Sequence, residues 1–471
     1  MDFILTFVYS ICLEPLFIIS LIFLFNVITR EVNYPFIDEI FHVPQCQWYC
    51  QQYFSYWDPK ITTPPGLYYL GYGFSSLVRL IDGDDSYCSL NQLRSLNYIG
   101  GVYILPLVLK LCGRYPLYQF PIANLISFPL LTLYFSLFYT DSWSTILVVS
   151  SLVVGLEGYN LLSAILGLLS ITFRQTNVVW NGLILAILLD RKIYKNYTGN
   201  IIQDGILFVK AFFNNFMFLT LPFVINFILF LVFLVHNNWS ITFGDKENHA
   251  VGFHAVQLFY CSTFMCLFSL PIWLSPKFIK NYCRSFFISP FKVFILFLQF
   301  AIIYGCIQFF TVVHPFLLSD NRHYTFYIWR KIINRSAYTR FYLIPIYHFS
   351  LYTVLKLMKL SGQNSITSEN LSFSPITIIC YFICCCATII PSPLFETRYY
   401  ILPFLLWRLM IRPVNDPLIS KLEFFKKYNS VIRLVLEYFL FNLVNFFVFY
   451  MFLNYTFEWE NEPSLIQRII W

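Results

Sequence analysis

Apolar residues run along this chain in long blocks separated by short polar stretches, without the strict every-second-residue alternation of a barrel strand. A helix crosses a bilayer core about 30 Å thick with roughly 20 apolar residues. The blocks at 3–28, 94–112, 119–139, 143–157, 158–173, 177–189, 207–235, 253–273, 290–312, 337–358, 373–391, 398–412 and 431–456 are therefore predicted as spanning helices. Several are short, which sets the expected total at about 11–14. The first block lacks a basic start and outlasts a signal core, so it reads as a retained span. No internal repeat of the kind that builds inverted-repeat transporters stands out. The expected fold class is an all-α polytopic membrane protein, with residues 1–471 forming a single transmembrane domain.

Composition closes off the soluble alternatives. Charged residues are 12% of the chain, about half the usual fraction of roughly 25%, and hydrophobic residues are 58%. A water-soluble globule of 471 residues cannot hide that much apolar surface. The net charge of +7 is gathered into a few loops, which points to membrane orientation rather than nucleic-acid binding. Neither a Gly-rich phosphate loop nor a zinc-type Cys/His spacing occurs, and no cofactor is expected, since fixed cations can do a metal's work at an anionic leaving group. The 13 cysteines are scattered, and Cys384, Cys385 and Cys386 lie in an apolar run, where they are expected to be buried side chains rather than ligands. Cys46 and Cys50 stand four apart, where a disulfide is unfavourable in helix geometry.

Basic residues orient the bundle. Stretches 190–210, 275–292 and 408–433 carry Arg191, Lys192, Lys277, Lys280, Arg408, Arg412, Lys421 and Arg433, and are placed on the cytoplasmic side. Loop 29–93, Tyr139–Asp141, Phe173–Asn177, loop 236–252, loop 313–336 and the segment around Glu396–Arg398 then fall on the opposite side. Loop 313–336 is itself basic, but the alternation of spans assigns it there. The unusual polar residues are thus expected to converge on one face of the membrane.

Candidate chemistry concentrates in the long first loop, 29–93, whose mixed aromatic and polar runs suit helices lying at the membrane interface. Asp38 and Glu39 are an adjacent acidic pair suited to general-base work or metal ligation, or to complementing a helix dipole. His42 lies one helical turn after Asp38. Lys60 suits a phosphate contact or a snorkelling anchor equally. Arg174 interrupts two apolar runs, where a charge is costly unless paired or interfacial. Glu396 and Arg398 flank a turn and are placed to pair with each other. As a set on one side, Arg174, Arg322, His323 and Arg398 suit an anionic lipid phosphate.

Five blocks of this sequence resemble the dolichyl-phosphate-glucose-dependent alpha-1,2-glucosyltransferases of the endoplasmic reticulum. They are Asp38–His42, Trp57–Thr63, Thr172–Asn177, His314–Tyr327 and Glu396–Pro403, and they extend over nearly the whole chain. Thr397 departs from the family pattern, where Pro is expected, and Pro64-Pro65 is also unusual; neither removes a candidate catalytic group. The resemblance implies a GT-C type bundle with a long first luminal loop carrying the acidic motif. It implies an inverting transfer of glucose from dolichyl-phosphate glucose to the diglucosylated dolichol-diphosphate oligosaccharide, in the endoplasmic reticulum membrane with a cytoplasmic N-terminus. Asp38 is the expected base, aided or replaced by Glu39. Arg322, His323, Arg398, Arg174 and Lys60 are the expected donor-phosphate ligands, and His42, Trp57, Asp58, Asp320 and Asn321 the acceptor and substrate contacts. Three alternatives remain: a sister transferase with another acceptor, a lipid or solute transporter, and a non-catalytic subunit.

Overall fold

The computed structural model describes residues 9, 12–83, 86–112, 119–363, 371–416, 423–459 and 462–471. The protein is an all-α membrane protein, and the helices follow the apolar blocks closely. Among the described residues, four helices are long and apolar enough to cross a bilayer: Phe216–His236, Pro290–Phe309, Thr339–Gly362 and Asn429–Asn454. Phe216–His236 has only 22% of its most apolar window buried in the protein, so most of its surface is left for lipid. Of the shorter apolar helices, Thr140–Leu156, Asn160–Ile171, Gln257–Phe268 and Pro375–Ile389, the second packs on Leu221–His236 and the third on Ile344–Gln363.

The central helix Thr140–Leu156 is buried along its entire length, its polar positions included. It turns back at Gly158, whose φ of 96° is the left-handed geometry that glycine accepts. Helix Asn160–Ile171 then lies against it through a reciprocal pair of 2.7 Å hydrogen bonds, Ser151 Oγ to the Ser163 carbonyl and Ser163 Oγ to the Ser151 carbonyl. Small side chains that satisfy each other's backbone allow this close approach.

Segment 119–139 departs from its predicted span. It folds as three short helical pieces, Ile122–Ile126, Pro129–Thr132 and Leu133–Ser136, all buried inside the bundle. Pro121 and Pro129 stand at the first and second breaks, where an amide donor is missing. The interior supplies partners that lipid lacks. Asn124 donates to the Leu434 carbonyl and to Glu437, each at 3.0 Å, and Asn445 donates to the Ser127 carbonyl at 2.7 Å.

Two of the predicted orienting charges also turn inward. Arg408 forms a fully buried pair with Glu437 at 2.7 Å. Arg433 is likewise buried, donating to the carbonyls of Pro271, Leu274 and Asp416. Lys421 lies outside the described residues.

The first loop holds helices Glu39–Cys50 and Gly66–Asp82. A Cβ on Gly66 would fall 2.5 Å from the Thr172 carbonyl oxygen, so only glycine lets the loop seat there. Cys50 forms a disulfide with Cys88, not with Cys46, which is buried against Tyr68. Two cysteines one turn apart on a helix cannot meet S–S geometry, whereas a segment returning past the helix end can. Among the described residues the sole sheet is a C-terminal antiparallel hairpin, β1 (Thr456–Trp459) and β2 (Glu462–Arg468), which an all-α reading does not anticipate.

Candidate active site

The polar segments expected on one side do converge. Residues from 37–63, 140–145, 174–180, 241–251, 316–325 and 387–402 line one cavity of about 870 Å³. It sits where Thr140–Leu156 and Asn177–Ile193 begin and Pro375–Ile389 ends, at one end of the bundle.

Asp38 and Glu39 are neighbours in sequence and part company in space. Ile37 has a φ of 50°, a strained backbone for a β-branched residue. The Asp38 amide is held there by Tyr139, whose hydroxyl accepts it at 3.1 Å and donates to the Phe36 carbonyl at 3.2 Å. Asp38 faces the cavity, 29% exposed, with Oδ2 2.6 Å from Arg398 Nη1. Glu39 turns into the core with no exposed side-chain surface. It receives both arms of Arg94, at 2.9 and 2.5 Å, and the amides of Phe36 and Phe138. Arg94 in turn holds the Val32 and Tyr34 carbonyls. Glu39 does not line the cavity; its geometry is that of a structural clamp, and the expectation that it aids or replaces Asp38 is corrected. A carboxylate with four donors inside the core is satisfied there and has no path to a substrate.

Each expected phosphate-binding arginine lines the cavity, and each already carries a carboxylate. Arg398 bridges Asp38 and Glu396. Arg174 pairs with Asp141 at 2.9 Å. Arg322 makes a bidentate pair with Asp320, at 2.9 and 2.8 Å. His323 lies 3.7 Å from Asp320 and shares its Nδ1 with the Trp471 carbonyl at 2.9 Å. Lys60 also lines the cavity, with its ammonium 5.4 Å above the Phe41 ring. An anion therefore meets guanidinium groups held in fixed forks rather than loose charges.

Of the expected acceptor contacts, His42 and Asp320 line the cavity; Trp57, Asp58 and Asn321 do not. Trp57 packs against Tyr68 and Phe243. Asp58 caps a turn, accepting the Lys60 amide at 2.9 Å. Asn321 accepts from the Trp459 indole at 2.6 Å. Aromatic and polar residues near a motif carry no mark of which face they present, so sequence alone could not separate these from true lining residues. Conversely, Asp141, Asp245, His249 and Trp459 line the cavity and were missed as site residues. Asp141 stood in a polar turn already assigned to this side; Trp459 left no signal, since only the hairpin brings it here.

Burial raises the Asp38 carboxyl, but Arg398, with His42 and His323, outweighs it, and the group sits well below the usual carboxylate range. Asp320 and Glu396 are also lowered, burial being outweighed by Arg322 in one case and Arg398 in the other. His42 is buried and pushed down to about 4, so it is neutral, with Nδ1 bonded to the Tyr68 hydroxyl at 2.7 Å. The site thus combines ionised carboxylates with fixed guanidinium groups, and can accept a proton at Asp38 while stabilising an anion beside it.

Comparison with known proteins matches residues 32–409 to the DIE2/ALG10 family. The chain belongs to this family. It is 40% identical to the Dol-P-Glc:Glc(2)Man(9)GlcNAc(2)-PP-Dol alpha-1,2-glucosyltransferase of Debaryomyces hansenii, covering 98% of this chain and 99% of the relative. The proteins of the same name in Kluyveromyces lactis and Homo sapiens are 40% and 32% identical, over 94% and 98% of this chain and 85% and 98% of theirs. No solved structure matches. Within the matched stretch of this DIE2/ALG10 chain lie all the cavity residues except Trp459.

Proposed function

We propose that this chain transfers glucose from dolichyl-phosphate glucose to Glc(2)Man(9)GlcNAc(2)-PP-dolichol, forming a terminal alpha-1,2 linkage with inversion. Three relatives whose names print the donor, the acceptor and the alpha-1,2 linkage match it over 99%, 85% and 98% of their length. One observation carries the chemistry: an ionised carboxylate, Asp38, and an arginine, Arg398, meet at 2.6 Å on the wall of a polar cavity.

Asp38 takes the proton from the 2-hydroxyl of the acceptor's terminal glucose as that oxygen attacks C1 of the donor sugar. The bond from C1 to the phosphate oxygen breaks on the opposite face, so a beta-linked donor yields an alpha product. Negative charge grows on dolichyl phosphate, and Arg398, Arg322 and Arg174 stabilise it, with His323 and Lys60 at the same wall. Because Arg398 holds Asp38 when no substrate is bound, an arriving phosphate competes for that guanidinium and releases the base. Fixed cations can take a metal's place once the phosphate displaces the carboxylates that pair them, so no metal is required in principle.

The same reading makes residues 1–471 one GT-C type domain in the endoplasmic reticulum membrane, with a cytoplasmic N-terminus and a luminal site opened by loop 29–93. Purified protein incubated with labelled dolichyl-phosphate glucose and defined acceptors tests it. The expected outcome is a glucosylated product from the diglucosylated acceptor alone, unchanged by a chelator. Turnover of a dolichyl-phosphate mannose donor, or of the monoglucosylated acceptor at the same rate, would reject it in favour of a sister transferase.

A further inference from the structure

The C-terminal segment lies beyond residues 32–409, the stretch that matches the family, yet it reaches the cavity wall. It grips each residue of the motif Asn321–Tyr324. Trp459 donates its indole N–H to Asn321 Oδ1 at 2.6 Å and lays its ring 4.1 Å from the Arg322 guanidinium carbon. Gln467 accepts from Arg322 Nη1 at 3.5 Å, and the Ile470 amide donates to the Arg322 carbonyl at 2.7 Å. His323 meets the Trp471 carbonyl, and the Tyr324 amide donates to the Ile470 carbonyl at 2.9 Å.

The other side of the segment is tied to the acidic motif. Tyr34, four residues before Asp38, donates its hydroxyl to the Ile466 carbonyl at 2.7 Å. Arg468 donates to the carbonyls of Phe452 and Leu453 at 2.8 and 2.9 Å and reaches the Glu31 carbonyl at 3.4 Å. The C-terminal segment therefore bridges the Asn321–Tyr324 motif and the stretch of chain just ahead of Asp38.

We propose that Trp459 is a positioning residue for the donor phosphate: its indole face, held by the hairpin, fixes the plane of Arg322 so that the guanidinium fork presents its edge to the phosphate. Asp320 holds Nε and Nη2, Gln467 lies at the long distance of 3.5 Å from Nη1, and the indole face backs the plane that these contacts set. A guanidinium free to tilt loses geometry for a planar, two-point contact with an anion. The inference rests on reading Arg322 as a donor-phosphate ligand.

Steady-state kinetics of the full chain, with dolichyl-phosphate glucose and the acceptor varied separately, tests both. Trp459→Ala should raise the donor KM about five- to tenfold, the scale of a partly desolvated cation–π contact, and leave the acceptor KM unchanged. Trp459→Phe keeps an aromatic face and should restore the donor KM to within about twofold. Trp459→Met, which retains bulk without a π face, carries the test if the alanine variant is not recovered folded, and should behave like it. Arg322→Ala should raise the donor KM further, and adding Trp459→Ala to it should change nothing more, because the indole acts through the arginine. If Arg322→Ala raises the donor KM and Trp459→Ala and Trp459→Met do not, the hairpin's role is overturned and the phosphate reading stands. An unmoved donor KM in Arg322→Ala removes the phosphate reading and this inference with it. Equal rises in donor and acceptor KM, or additive effects in the double variant, would mean general distortion and overturn the positioning role.

Discussion

Adjacent acids carry opposite assignments here, and substitution separates them. Asp38→Asn is expected to abolish transfer while the protein remains folded in detergent with a modest fall in melting temperature, because one partly exposed ion pair is lost and Arg398 keeps Glu396. Glu39→Gln leaves Arg94 buried without its counter-charge and should destabilise the fold by about 3–5 kcal/mol, read as a fall in melting temperature. Residual transfer by the folded fraction of Glu39→Gln, beside none by Asp38→Asn, would place the proton transfer on Asp38. The depressed Asp38 carboxyl adds a pH signature. Its folded form ionises below the ordinary value of about 4, so the acid limb of kcat/KM should fall below pH 4 rather than near 6. The same sign applies to stability: the pairs of Asp38, Asp320 and Glu396 contribute at neutral pH, and that contribution is lost as pH falls below ordinary carboxylate values. In Arg398→Gln, burial acts on Asp38 without its main opposition, and the acid limb of any remaining activity should move up. At this scale the sequence offered residue types but not directions. Both acids of the pair were visible, but which one faced the cavity depended on Ile37's strained turn and on Arg94, 55 positions away.

At the scale of elements, the apolar blocks mark where helices form, because a helix satisfies its own backbone, but among the described residues four of those helices are long and apolar enough to cross a bilayer. Segment 119–139 failed as a span for the complementary reason: an apolar, proline-broken run is equally content inside a bundle, where Asn124 and Ser127 find partners. Arg408 and Arg433, read as loop charges, turn inward in the same way, each finding buried acceptors on other elements. The loop disulfide is a further case, since the partner of Cys50 lies 38 residues on. Alkylation under native, non-reducing conditions followed by denaturation should label neither Cys50 nor Cys88, and reduction should expose both together. Labelling of Cys50 before reduction would break the pairing. Loss of the bridge by Cys50→Ser should lower stability by about 2–4 kcal/mol.

For the whole molecule, the cavity's place at one end of the bundle and the luminal assignment make a joint prediction about glycosylation. Asn238 and Asn196 are both exposed and both begin sequons, but they lie at opposite ends of the stretch containing Ile201–Asn214 and Leu221–His236. Asn238, in the segment that also supplies cavity residues Ile241 and Thr242, should be modified in microsomes, and Asn196 should not. A glycan on Asn196 would invert the orientation and put the cavity on the cytoplasmic side. The chain alone determined that this is a helical membrane protein with its polar motifs gathered toward one side, because hydrophobic length and loop charge are properties of consecutive residues. It also carried the family in five separated blocks. The tertiary structure alone decided which arginine holds which acid, which motif residues face the cavity, and that a C-terminal hairpin completes its wall. Those facts join positions as far apart as Asp38 and Arg398, or Arg322 and Gln467, and a contact between distant positions exists only once the intervening helices have packed.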